Sequence, residues 1–167
     1  MDTTRIAPRL HVGSVPAAGM AAHDHGFHVL VLCALPEEYG GGRYLERYEG
    51  VTVVACPLDD SAKRGISRAE VALAEETAAR IAVAIYRGRR ALVTCMQGRN
   101  RSAIVAALTL RRLTSWSGSR ATEAVRAARE AVTGPGTVLC NPSFEKYLRS
   151  LPNMPWGARP GTESEAP

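Results

Sequence analysis

The chain lacks any apolar run long enough to cross a bilayer, and its opening residues, Met1-Asp-Thr-Thr-Arg5, contain no signal-peptide core. A cytoplasmic protein is therefore expected. Cysteine is sparse: Cys33, Cys56, Cys95 and Cys140 are too few and too scattered in 167 residues for a disulfide framework, and they lack zinc-ligand spacing. Cys33 and Cys56 read instead as buried strand residues. Aromatic residues make up only 5% of the chain and form no binding motif, which leaves nucleic-acid binding resting on charge alone. The formal net charge of +5 suits an acidic or phosphorylated partner. Three histidines gather in His23-Asp24-His25-Gly26-Phe27-His28, but Gly26 interrupts any single ligand-bearing helix, so no metal is assigned to them.

What remains is one domain's worth of alternating elements. Strand-like runs near Leu10 to Val12, Val29 to Cys33, Val51 to Ala55 and Ala91 to Thr94 are separated by helical patterns. This predicts an α/β fold: a single-domain sandwich with a central, mostly parallel sheet flanked by helices. The folded part is expected to span residues 1–151. Residues 152–167, rich in Pro, Gly and polar side chains, read as a disordered tail.

The most informative stretch is Cys95-Met96-Gln97-Gly98-Arg99-Asn100-Arg101-Ser102. It follows the short apolar run Ala91 to Thr94 and precedes a segment in which Ala103, Ala106, Leu110 and Leu113 keep helical spacing. A loop entering a helix there aims unpaired N–H groups and the positive end of the helix dipole at one point, so an anion is its natural occupant. Gly98 permits the tight turn, and the planar fork of Arg101 can grip two phosphate oxygens. The same field should favour the thiolate of Cys95. Ser102 is placed to donate a hydrogen bond to that sulfur.

A thiolate attacking a phosphate ester needs a proton donor from a facing segment. Asp59 and Asp60 supply candidates, on a loop between the run Val51 to Ala55 and a helix opened by a Ser67 and Glu70 capping box. That helix continues through Val71, Ala74, Ala78, Ile81 and Ile85, with Gly88 as its stop. Arg99, Lys63 and Arg64 are placed at the pocket mouth, while Arg111, Arg112, Arg126 and Arg129 read as solvated helix faces.

Cys95, five residues, Arg101 and Ser102 together resemble the signature of the dual-specificity branch of the cysteine-dependent protein tyrosine phosphatases. Pro57-Leu-Asp-Asp-Ser61 and the residues following it to Ser67 are similar to that family's general-acid loop, in which the second acid, here Asp60, is the donor. Ile6 to Ser14 resembles its opening strand, and Asn141-Pro-Ser-Phe-Glu145 the start of its last helix. Thr94 stands where the family usually has His, and Asn100 is similar to the residue found in RNA 5′-triphosphatases of the same superfamily.

The resemblance implies a catalytic domain over residues 1–151 that hydrolyses phosphotyrosine and phosphoserine or phosphothreonine in proteins without a cofactor or metal. Catalytic roles fall to Cys95, Arg101, Asp60 and Ser102, with Met96 to Arg101 binding phosphate. The alternatives are a phosphoinositide or RNA 5′-phosphatase, a phosphate-binding module without turnover, and a sulfur transferase that would leave Asp60 without a role.

Overall fold

The computed structural model describes residues 2–16, 25–41, 48 and 50–155. Among the described residues five strands form one sheet: β1 (Thr3–Ala7), β2 (Leu10–Ser14), β3 (Val29–Leu32), β4 (Thr52–Ala55) and β5 (Ala91–Cys95). Their spatial order is β1-β2-β5-β3-β4. The β1–β2 pair is antiparallel and the other three pairs are parallel, as expected for a mostly parallel sheet. The opening strand, however, is a hairpin: Ile6 lies on β1, and the chain reverses at Pro8 and Arg9, where Arg9 takes a φ of 65°.

Alternation along the strands sorts side chains between two cores. Leu10, Val12, Val31, Val93 and Cys95 face the larger one, whereas Leu30, Leu32 and Leu92 join Phe27, Tyr39 and Tyr48 on the opposite face. Central β5 is buried at all five positions, which is why it reads as a continuous apolar run rather than an alternating one.

Four α-helices are described: α1 (Arg68–Tyr86), α2 (Arg101–Thr114), α3 (Gly118–Thr133) and α4 (Pro142–Ser150). The predicted capping box opens α1, since Glu70 N–H donates to Ser67 Oγ (3.2 Å) and Ser67 N–H to Glu70 Oε2 (2.9 Å). Helix α1 stops before Gly88, whose φ is 80°. Helix α2 packs against α1, α3, α4, β2 and β5, so every residue from Arg101 to Arg111 is buried.

That crowding corrects the surface reading of the arginines. Arg129 is fully buried and Arg111 is 6% exposed. The Arg111 guanidinium donates to Pro152 O (2.8 Å), Arg112 to Glu75 Oε2 (2.9 Å), and Arg126 to Val138 O and Leu139 O. A charged side chain one turn away from the apolar stripe meets a second helix or loop here, and it stays because a carbonyl or carboxylate is waiting. Pro152 is therefore held by the domain, and residues 156–167 lie outside the described residues. Of the histidines, His23 lies outside them too, while His25 and His28 are exposed. No described helix is long and apolar enough to cross a membrane.

The α3–α4 contact has no room for a methyl group at Gly118: an added Cβ would lie 1.7 Å from Leu148 O. Gly118→Ala is expected to lose on the order of 3 kcal/mol, read as a lower urea midpoint with an unchanged slope. An unshifted midpoint would mean that α3 and α4 separate at no cost.

Candidate active site

Cys95 ends β5 and Arg101 begins α2, so residues 96–100 make the strand-to-helix loop that the sequence predicts. Cys95 is 3% exposed and lies 3.3 Å from the buried Ser102 hydroxyl. Gly98 has a φ of 65°, and a Cβ there would stand 2.5 Å from the Gly13 backbone on β2. The site therefore needs glycine for conformation and for space.

The loop's carbonyls are tied down on its outer side. Gly98 O accepts from Arg129 Nε (3.0 Å), Gln97 O from Arg129 Nη2 (3.3 Å) and Arg99 O from the Leu139 N–H (3.1 Å). In a trans peptide the N–H points opposite to the C=O. The N–H groups of Gly98, Arg99 and Asn100 consequently face away from those partners, toward the loop's interior, where the first N–H groups of α2 also lack helical acceptors. Arg129 satisfies its remaining donors on Asp2 and Thr4, joining β1 and its flank to the loop from beneath.

Arg101 is 7% exposed, and its two terminal nitrogens form a fork on the Glu38 carboxylate, the Nη2–Oε1 bond being 2.8 Å. Glu38 sits on a short 3-10 helix, Pro36–Tyr39, just beyond β3. Burial opposes the charge on Arg101, but the carboxylate of Glu38, with Cys95 and Asp60 nearby, outweighs it and raises the guanidinium pKa. The Arg101 hydrogen bond in turn holds Glu38 below the ordinary carboxylate value. Among the described residues the buried Arg101 Nε has no hydrogen-bond partner, which leaves an N–H for an incoming oxyanion.

Asp60 and Asp59 have separate duties. Asp60 lines the cleft and accepts from Asn100 Nδ2 on Oδ2 (3.1 Å) and from Asn141 Nδ2 on Oδ1 (3.0 Å). Asp59 turns away to the Ser61 N–H (2.8 Å) and to Arg64 (3.2 Å). The Asp59 N–H donates to Glu70 Oε1 (2.9 Å), so the capping residue of α1 also steadies the acid loop.

The cleft has a volume of about 230 Å³ and is lined by Glu38, Asp60, Cys95, Met96, Gln97, Arg99, Asn100 and Arg101. Arg99 thus reaches it as expected. Arg64 does not, being committed to Asp59 and Glu70, and Lys63 is exposed outside the lining. Thr94 donates to Val31 O (2.8 Å) and ties β5 to β3 rather than organising the loop. Among the described residues no three His, Cys, Asp or Glu side chains gather into a metal-binding group.

Sequence reasoning missed Glu38 and misplaced Arg129. Glu38 had a findable signal, because the segments after parallel strands gather at the ligand-binding edge of an α/β sheet. Arg129 had none, since its partners, two loop carbonyls with Asp2 and Thr4, are all distant in sequence.

A cleft with a thiol at its floor and a strand-to-helix loop around it thus lies on the carboxyl edge of a mostly parallel sheet. The chain has the fold of the protein tyrosine phosphatase superfamily, and within it resembles the dual-specificity phosphatases. A mouse putative dual specificity phosphatase complexed with zinc tungstate is 27% identical, with 89% of this chain and 87% of that one covered at a TM-score of 0.65. Human DUSP28 is 26% identical over 90% of this chain and 95% of its own, also at 0.65. PTPMT1 in complex with PI(5)P shares the fold at 18% identity, with 89% and 97% covered and a TM-score of 0.64. No protein-family model and no curated protein matches the chain.

Two outcomes follow from this geometry. Arg129→Lys cannot reproduce the fork, and it is expected to weaken inorganic phosphate binding about tenfold and to cost about 3 kcal/mol of stability; unchanged phosphate affinity by calorimetry would show that the loop keeps its shape unaided. Burial alone would raise the Glu70 pKa, but bonds from the Ser67 hydroxyl, the Asp59 and Ser67 N–H groups and Arg64 hold it at about 2 against an ordinary 4.5. Because the folded value is depressed, its stabilisation is complete above pH 4.5 and is lost as pH falls toward 2. Thermal midpoints across that range should fall more steeply for the native protein than for Glu70→Gln.

Proposed function

We propose that the protein hydrolyses phosphomonoesters through a cysteinyl-phosphate intermediate. The observation that carries this reading is the convergence on one cleft of Cys95 and Arg101, from the two ends of the phosphate loop, with Asp60 from a loop distant in sequence. Cys95 Sγ attacks phosphorus, and the phosphorus–oxygen bond to the leaving group breaks as Asp60 delivers a proton to that oxygen. The loop N–H groups and Arg101 take the equatorial oxygens. Water then attacks the phosphocysteine with Asp60 as base, Ser102 donates a hydrogen bond to the departing sulfur, and inorganic phosphate leaves.

Phosphotyrosine and phosphoserine or phosphothreonine in proteins are the proposed substrates. The cleft is small and open at Met96, which is 39% exposed and offers an apolar surface to whatever carries the phosphate. A phosphoinositide or RNA 5′-phosphatase is the second reading. Arg99 favours it, because this second guanidinium lines the cleft and its buried Nε has no partner among the described residues. A binding module or a sulfur transferase would have no use for Asp60 in that cleft.

The test is turnover of para-nitrophenyl phosphate across pH 5 to 8 by the native protein, Cys95→Ser and Asp60→Asn. Activity is expected in the native protein alone at full rate, with none in Cys95→Ser and loss of the basic-side decline in Asp60→Asn. If native and Cys95→Ser proteins are equally inactive yet both bind phosphate, the chain is a binding module. Phosphopeptides, inositol phospholipids and triphosphorylated RNA, compared as substrates, separate the two enzymatic readings.

A further inference from the structure

We infer that Asn100 is a positioning residue, holding the Asp60 carboxylate over the phosphate loop before substrate arrives; this rests on the phosphatase reading above. Asn100 is the N-cap residue of α2, a place where asparagine ordinarily accepts a hydrogen bond from the helix's own N–H groups. Here its side chain makes no capping bond. It bridges two other segments instead, with Nδ2 donating to Asp60 Oδ2 (3.1 Å) and Oδ1 accepting from the Cys140 N–H (3.0 Å) and Cys140 Sγ (3.4 Å).

The orientation of the carboxamide follows from chemistry. A backbone N–H can only donate, so the oxygen must face Cys140 and the NH₂ must face Asp60. Serine lacks a second arm long enough for both partners, and aspartate would put a second carboxylate against the first. Forgoing the cap has a further consequence: the N–H groups at the start of α2 stay open for the anion, where a capping oxygen would have competed with phosphate.

The partner segment is itself held rigidly. Leu139 is fully buried with a φ of 52°, a left-handed conformation that is unfavourable for a leucine and needs outside support. Arg126 supplies that support by donating to Val138 O (3.1 Å) and Leu139 O (2.8 Å), and the Leu139 N–H bonds to Arg99 O. The next residue but one, Asn141, donates to the other Asp60 oxygen, with its own oxygen fixed by the Ser143 N–H (3.0 Å) and hydroxyl (2.8 Å). Two oriented carboxamides therefore grip the two oxygens of Asp60. The acid loop is docked on the phosphate loop in the resting protein, and no loop closure is needed to bring the proton donor into place.

Acid positioning matters most when the leaving oxygen is basic. The experiment compares kcat for para-nitrophenyl phosphate, a good leaving group, with phenyl phosphate, a poor one, in native protein, Asn100→Ala, Asp60→Asn and the double variant. Asn100→Ala should lose about tenfold or more on phenyl phosphate and several-fold less on para-nitrophenyl phosphate. It should cause no further loss in the Asp60→Asn background, and competitive inhibition by inorganic phosphate should persist. If Asn100→Ala does not fold, Asn100→Ser, too short to span both partners and adding no charge, carries the same expectation. Equal losses on both esters, or a loss that adds in full to that of Asp60→Asn, overturns the positioning role while leaving the phosphatase reading intact. If Asp60→Asn itself shows no dependence on the leaving group, Asp60 is not the acid and the positioning role falls, whereas the phosphatase reading falls only if Cys95→Ser is as active as the native protein.

Discussion

A backbone anion receptor works only if its carbonyl oxygens are turned away from the anion, and in this chain the buried guanidinium of Arg129 turns two of them. Its five N–H donors are all used: two on carbonyls of the loop, two on Asp2 and one on Thr4. Removing such a group from water costs several kcal/mol, roughly, unless every donor is met. The loop carbonyls are thus held by a side chain that has no better alternative, and the thiol of Cys95, the N–H groups of α2 and the fork of Arg101 all depend on the shape that results.

Arg101 faces a related constraint. A buried guanidinium needs a counter-charge, yet in the proposed reaction it must also take a phosphoryl group. Glu38 resolves this by using one N–H of each terminal nitrogen and leaving Nε unpartnered. The carboxylate fixes the plane of the fork, and that plane sets the direction in which the remaining N–H groups point. Glu38 is therefore a structural element of the cleft as well as one of its walls, and its position beyond β3 places it at the edge from which both the cysteine loop and the acid loop emerge.

Local chemistry was legible in the sequence where neighbours in the chain are also neighbours in space. The strand-to-helix junction at Cys95, the capping box of Ser67 and Glu70, the stop at Gly88 and the mostly parallel sheet all follow from patterns a few residues long. The choice between Asp59 and Asp60 came from resemblance; in the structure Asp59 pairs with Arg64 while Asp60 lines the cleft. The failures share one cause. Arg111, Arg126 and Arg129 carry charge on helices with an apolar stripe, and nothing local distinguishes a solvated arginine from one whose carbonyl partners lie tens of residues away. The hairpin at Pro8 and Arg9 was hidden for a similar reason, since β1 is an edge strand with little buried surface to give it a period.

Local preference and tertiary demand agree through most of the molecule and part company at the cleft. Helix α1 takes its cap from its own sequence, and α4 begins with Asn141 accepting from the Ser143 N–H. Helix α2 alone among the four has an N-cap asparagine whose side chain looks elsewhere, next to a glycine at positive φ and opposite a buried leucine in the left-handed region. The missing cap and the left-handed leucine are each unfavourable by themselves, and together with the glycine they leave N–H groups open at the helix start while bringing Asp60 against it. A well-capped α2 would be a more stable helix and a poorer anion receptor. The bonds of Asn100 to Asp60 and Cys140 offset part of the forgone cap, and an anion in the loop would satisfy the open N–H groups as well, which couples the stability of this end of α2 to occupancy of the cleft.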